Sequence, residues 1–168
     1  SALNDLYFMI SNSKMLIKNW VFIEKQSGTA DKQKLKMLHQ EEFREVKQKL
    51  SSLAVYWTNE EQKAFFEICE SIEDTLFEKH KFIMKQLNDF DAYDNPMVIY
   101  TVIPMVEEGG EVIEITDQIL SQISSLLQRK EMKEKQARVQ MVESADVIQE
   151  YLFLIRMVVL LFAIIISV

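Results

Sequence analysis

The sequence predicts an all-α fold: an antiparallel, up-down-up-down four-helix bundle whose last helix continues into a truncated transmembrane segment. Three observations carry this expectation. Helix breakers are scarce, with 3 Gly and 2 Pro in 168 residues, whereas residues that lose little freedom in a helix abound. Apolar residues recur at three- and four-residue spacing through four long stretches. No run alternates β-branched with polar residues for long enough to make a half-buried strand. Short connections between long amphipathic helices leave sequential neighbours antiparallel.

The first helix is expected from Leu3 to about Gln26, with Leu3, Leu6, Ile10, Ile17 and Trp20 as its stripe and Tyr7, Met9 and Leu16 beside it. Gly28 can end it and Asp31 can cap the next. The second helix is expected over about Lys32 to Leu53, with Leu35, Leu38, Val46, Leu50 and Leu53 inward and Phe43 flanking them. Thr58 and Glu61 have the spacing of a capping box, so a third helix starts there and is expected to reach about Phe90. Asp91 to Pro96 breaks it. Met97 to Ile103 reads as a short helical piece, and Pro104 suits the first turn of a new helix, with Gly109 and Gly110 near that start. From Glu111 no breaker follows. Ile119, Ile123, Leu126, Ala137, Met141, Ala145, Ile148 and Leu152 mark the expected inner face, interrupted by the polar stretch 128–136.

The C-terminal tail sets the domain organisation. Met157 to Val168 carries no charge, and from Tyr151 onward Arg156 is the one charged residue in the apolar run. A spanning helix needs about 20 apolar residues, and a buried amphipathic helix would keep a polar face. Residues 151–168 are therefore expected to begin a membrane span, with 1–150 as the domain standing on the membrane. Arg156 fits the outer boundary, because at the bilayer centre it would cost about 2.5–3.5 kcal/mol. An up-down order brings the start of the first helix and the Tyr56-Trp57 connection to the same membrane-proximal end. No signal peptide is visible.

Several function classes are excluded or disfavoured. A net charge of −7 opposes binding to a phosphate backbone, so nucleic acid is not an expected partner. Cys69 is the single cysteine, which removes a disulfide framework and Cys-based metal motifs, and it reads as a buried small hydrophobe. A di-iron bundle needs Glu-x-x-His pairs, but Lys36 and Phe77 stand where those glutamates would precede His39 and His80. Both histidines lie in charged helical stretches and are expected on the solvated surface. No phosphate-cradling glycine loop occurs. Adjacent carboxylates such as Glu41-Glu42, Glu60-Glu61 and Glu107-Glu108 diverge by about 100° on a helix and do not converge on a substrate. No catalytic residue, metal ligand or cofactor is expected. The candidate ligand-binding residues are Lys18, Asn19 and Trp20 on the first helix, facing Tyr93 and Tyr100 in the 91–110 segment. There an amide and an aromatic wall could receive a small molecule.

The whole chain, from SALNDLYFMISNSKMLIKNWVFIEKQ to the exit helix VIQEYLFLIRMVVLLFAIIISV, resembles the extracytoplasmic four-helix sensor domains of bacterial chemoreceptors and sensor histidine kinases. The likeness is one of architecture and not of motif. It implies a homodimer in the inner membrane of a bacterium, with this domain facing the periplasm or cell exterior. It also implies an unknown small-molecule or protein stimulus at the distal end, and a fourth helix that moves a cytoplasmic kinase or chemotaxis module. The first helix has no Arg to match the ligand clamp of amino-acid receptors, so ligand identity does not transfer. The alternative is a membrane-anchored helical scaffold without ligand sensing.

Overall fold

The structure, a computed structural model, describes the backbone of residues 2–166 and the side chains of residues 2–157. Among the described residues the only regular structure is helix, arranged as four long helical stretches with a short fifth between the last two, compatible with a helical bundle. The chain divides into two compact units, Ser1–Leu127 and Gln128–Val168.

Helix α1 spans Ala2–Phe22 and buries the predicted stripe Leu3, Leu6, Ile10, Ile17 and Trp20 with Met9 and Leu16 of its flanks; Tyr7 is half-buried, and Val21 is buried in addition. It stops four residues short of the expected Gln26. The N–H groups of Ile23 and Glu24 both turn back to the Asn19 carbonyl, and the chain then reverses through Gly28 at φ +76°.

The second stretch is not one regular helix. Helix α2 (Ala30–Met37) passes through a π turn, Leu38–Glu42, into α3 (Phe43–Ala54). Thr29, with extended backbone, holds the N-cap position expected of Asp31, and Asp31 lies in the first turn. The third stretch has the same construction: α4 (Asn59–Glu70), a π turn at Ser71–Leu76, and α5 (Phe77–Gln86). Its start has the predicted capping box. The Thr58 N–H donates to Glu61 Oε2 at 2.9 Å and the Glu61 N–H to Thr58 Oγ1 at 3.4 Å. In each π turn the backbone bond spans one residue more than in an α-helix, with Phe43 N–H reaching the Leu38 carbonyl and Phe77 N–H the Ile72 carbonyl.

The extra residue changes which side chains face inward. Sequence periodicity puts Val46 and Leu53 in the stripe with Phe43 beside it. Phe43 is in fact buried, Val46 half-buried and Leu53 exposed, because the inward step from Leu38 to Phe43 crosses the π turn.

The expected third helix also ends early. Leu87 leaves the helical conformation, a 3-10 turn forms at Asp91–Asp94, and α6 occupies Pro96–Val106. Asn95 caps α6 by accepting the Met97 N–H, and Pro96 fills the first position, where a missing N–H costs nothing. Pro104 sits inside α6 and not at the start of the last helix. Helix α7 follows as Glu111–Ile166, 56 residues.

The core of the first unit draws on every helix, α7 contributing Val112, Ile119, Ile123 and Leu126. Partly exposed ion pairs join the helices, Lys14 to Asp117 at 2.6 Å, Lys79 to Glu111 at 2.7 Å and Lys47 to Glu73 at 2.6 Å. Each contributes at most about 1 kcal/mol, so apolar burial dominates.

In the second unit, side chains 131–157 are all exposed. Ala137, Met141, Ala145, Ile148 and Leu152, read from sequence as an inner face, therefore lie outside any core of this chain. Packing changes at Leu127, whereas the boundary expected between 150 and 151 follows hydropathy. No helix among the described residues is long and apolar enough to cross a membrane. The side chains of the apolar run beyond Met157 lie outside those residues.

Candidate functional site

Two polar clusters are built into the first unit. The first gathers most of the sequence-predicted ligand residues. Trp20, in the last turns of α1, is 3% exposed, and its indole N–H donates to the Leu87 carbonyl at 3.2 Å. That carbonyl belongs to the residue at which α5 terminates. Tyr93, in the 3-10 turn, donates its hydroxyl to the Trp20 carbonyl at 2.6 Å. A C=O in the last turn of a helix lacks an intrahelical donor, so the indole and the phenol each satisfy a carbonyl near a helix end. Asn19 donates its amide to Asp31 Oδ2 at 2.7 Å, tying α1 to the first turn of α2.

Between the rings of Trp20 and Tyr93 lies the chain's own Lys32. Its Nζ is 4.9 Å from the indole centroid and 5.0 Å from the phenol centroid, and its side chain is buried. Lys36 Nζ is 5.7 Å from the same indole. Burial pushes the Lys32 ammonium below its ordinary pKa. Glu24 opposes that shift and Lys36 adds to it. Burial, with Glu24 adding to it, pushes the Tyr93 phenol up to about 12. Cation–π contact compensates part of the desolvation of a buried ammonium.

Of the five predicted residues, Asn19, Trp20 and Tyr93 come together and Lys18 is half-buried next to them on α1. Tyr100 is 79% exposed on α6 and belongs to no part of the cluster. The aromatic wall exists, but Lys32 fills it. Sequence periodicity carries a signal for Lys32, since it stands three residues before Leu35 on the inward stripe.

The second cluster corrects the expectation for the histidines. His80 is fully buried and His39 half-buried. His39 Nε2 and His80 Nδ1 face each other at 3.0 Å. The His39 ring stacks on Phe77 with centroids 3.8 Å apart and planes 16° from parallel, and Phe43 meets Phe77 edge-on at 5.2 Å. His39 lies in one π turn, and Phe77 begins the helix after the other. Burial, the largest cause, lowers the His39 pKa to about 4, Lys81 acting in the same direction and Glu78 against it. Burial and the neighbouring His39 lower that of His80 to about 3. Both rings are therefore neutral near pH 7. Their outer nitrogens, His39 Nδ1 and His80 Nε2, are buried without a hydrogen-bond partner among the described residues. No group of three or more His, Cys, Asp or Glu side chains able to hold a metal occurs among those residues.

On the second unit, the surface concavities at residues 132–140 and 140–154 are lined by α7 alone and are grooves between neighbouring side chains of one helix. Comparison of the chain with protein-family models, curated proteins and solved structures finds no match.

Proposed function

We propose that the chain is the extracytoplasmic signal-input domain of a membrane-bound bacterial signal-transduction receptor, passing helix motion to a cytoplasmic kinase or chemotaxis output module. The observation that carries this reading is the division of α7. Its first turns supply core residues Val112 to Leu126, and over 131–157 every side chain is exposed. A helix packed at one end and unencumbered over the rest is suited to report the state of a core. In this reading the helices run up-down-up-down, the apolar run 151–168 enters the membrane, and exposed Met141, Ile148 and Leu152 meet a second copy in a homodimer. A ligand need favour one packing of the core over another by only about 1–3 kcal/mol, a usual allosteric coupling. The second reading, a membrane-anchored scaffold, draws on the same exposed apolar residues but assigns no role to the packed segment of α7.

Topology supplies the test. Cys69 is buried and its thiol pushed up to about 12 by burial, so it stays silent toward maleimides. Tyr100→Cys in the full-length protein puts a thiol at an exposed position. Labelling of intact cells by a membrane-impermeant maleimide is expected to match that after lysis. Labelling only after lysis contradicts an extracytoplasmic domain.

A further inference from the structure

The histidine pair is a buried polar contact between the second and third helical stretches that neither the ligand cluster nor α7 uses. Facing ring nitrogens 3.0 Å apart hold together only if one carries a proton and the other a lone pair. A first added proton puts a charge in a site where His39 stacks on Phe77, which Phe43 backs edge-on. A second sets two N–H donors against each other and breaks the contact. The outer nitrogens have no acceptor among the described residues with which to share an added proton.

Compensating charge is scarce on every helix packed nearby. On α5, Glu78 is engaged by Lys81 at 2.7 Å and Lys79 by Glu111 of α7. On α1, Lys14 is engaged by Asp117 of α7, and on α3, Lys47 by Glu73 of the second π turn. The buried hydroxyls of Ser13 and Thr116 donate to their own helices, at the Ile10 and Val112 carbonyls. Each stretch has its π turn close to the pair. A π turn can revert to α geometry by expelling one residue, which rotates the downstream part of the helix by about 100°.

We propose that His39 and His80 form an acid-released latch between the two π-turn segments: neutral, the pair holds Leu38–Glu42 against Phe77 and His80; protonated, it lets these segments open locally while the rest of the core stays packed. This inference stands whether or not the domain senses a signal.

The direction of the pH effect comes from the depressed folded pKa values, about 4 and about 3 against an ordinary 6.5. A ring released to water binds protons below pH 6.5 that the closed pair refuses. The latch is therefore complete above that pH and is lost progressively as pH falls toward the folded values. Between pH 7 and pH 5 the open-to-closed ratio rises about 25-fold for each histidine released, and roughly 600-fold for both.

Amide hydrogen exchange, corrected for the intrinsic rate, reads this directly at the Phe43 and Phe77 N–H groups, which close the two π turns. Their protection is expected to fall by about 25-fold or more from pH 7 to pH 5 and to become lower than that of Leu6 and Ile10 in α1. In His39→Gln/His80→Gln the loss is expected to shrink to a few-fold. Unchanged protection at Phe43 and Phe77 overturns the proposal. An equal loss across all core amides also overturns it, since the pair would then titrate only with global unfolding. If the double variant does not fold, the wild-type profile alone distinguishes local release from both of these outcomes.

Discussion

Trp20→Ala is expected to destabilise the Ser1–Leu127 unit by about 3–5 kcal/mol, the range for removing a large buried aromatic. Three losses combine. The indole's buried area leaves a cavity at the end of α1, where Trp20 is 3% exposed. The Leu87 carbonyl loses its 3.2 Å donor beside the end of α5. Lys32 loses one of the two rings over which its buried ammonium sits. Trp20→Phe keeps most of the area and an aromatic face for Lys32 and gives up the hydrogen bond, so about 1–2 kcal/mol is expected. Urea unfolding of the three proteins measures this. A loss under about 1 kcal/mol for Trp20→Ala, well below the usual range, would show that the cluster contributes little and that the α1–α5 junction is held by other contacts.

Gly110→Ala is expected to cost about 3 kcal/mol, at the upper end for overpacking. A Cβ at Gly110 would lie 2.3 Å from the Pro104 carbonyl oxygen and 2.7 Å from the Met105 carbonyl carbon and oxygen. All three are backbone atoms, so relief requires moving α6 against the start of α7. Gly109 is the internal control. Its φ of +77° strains any L side chain, yet nothing lies within 4 Å of its Cβ position. Gly109→Ala should therefore cost only the left-handed penalty, about 1–2 kcal/mol. Thermal unfolding should rank Gly110→Ala below Gly109→Ala. The reverse order would mean that the α6–α7 turn yields easily and that backbone conformation dominates there.

The parts of the fold legible in the sequence are those governed by strict local rules. The α1 stripe follows three-four spacing from Leu3 to Ile10 and from Ile17 to Trp20, with buried Ser13 bridging the gap, and Thr58 with Glu61 makes the capping box that their spacing implies. The misread positions are those where a tertiary contact overrides the local rule. Pro104 reads as a helix start, but α6 accommodates it internally and the turn at Gly109-Gly110 comes later. Leu87 reads as one more turn of the third helix, but its carbonyl accepts the Trp20 indole and the chain bends there.

The histidines mislead by residue type and not by register. His39 stands four residues after Leu35, and His80 four after Leu76 and three before Ile83, all inward positions, but both rings sit among charged neighbours that suggest a solvated face. What the sequence conceals is the π turn. The Leu38-to-Phe43 step, five residues between inward apolar positions, is the one hint of it. Within the candidate site, residue type locates Trp20, Asn19 and Tyr93. The inward register of Lys32 is visible in the sequence, but its place against the aromatic wall is not, because a lysine in such a register ordinarily carries its charge out to water.

The central functional proposal is that motion of the packed segment of α7 travels along the exposed segment. Lys133→Pro tests it most directly. Lys133 is exposed, so the substitution leaves the core untouched while removing a backbone donor and crowding the preceding turn, at about 3 kcal/mol to the local helix. In the full-length protein, output is expected to stop responding to stimulation while the Ser1–Leu127 unit keeps its unfolding midpoint. Normal signalling by Lys133→Pro, with the same unfolding midpoint, would contradict a continuous helical lever.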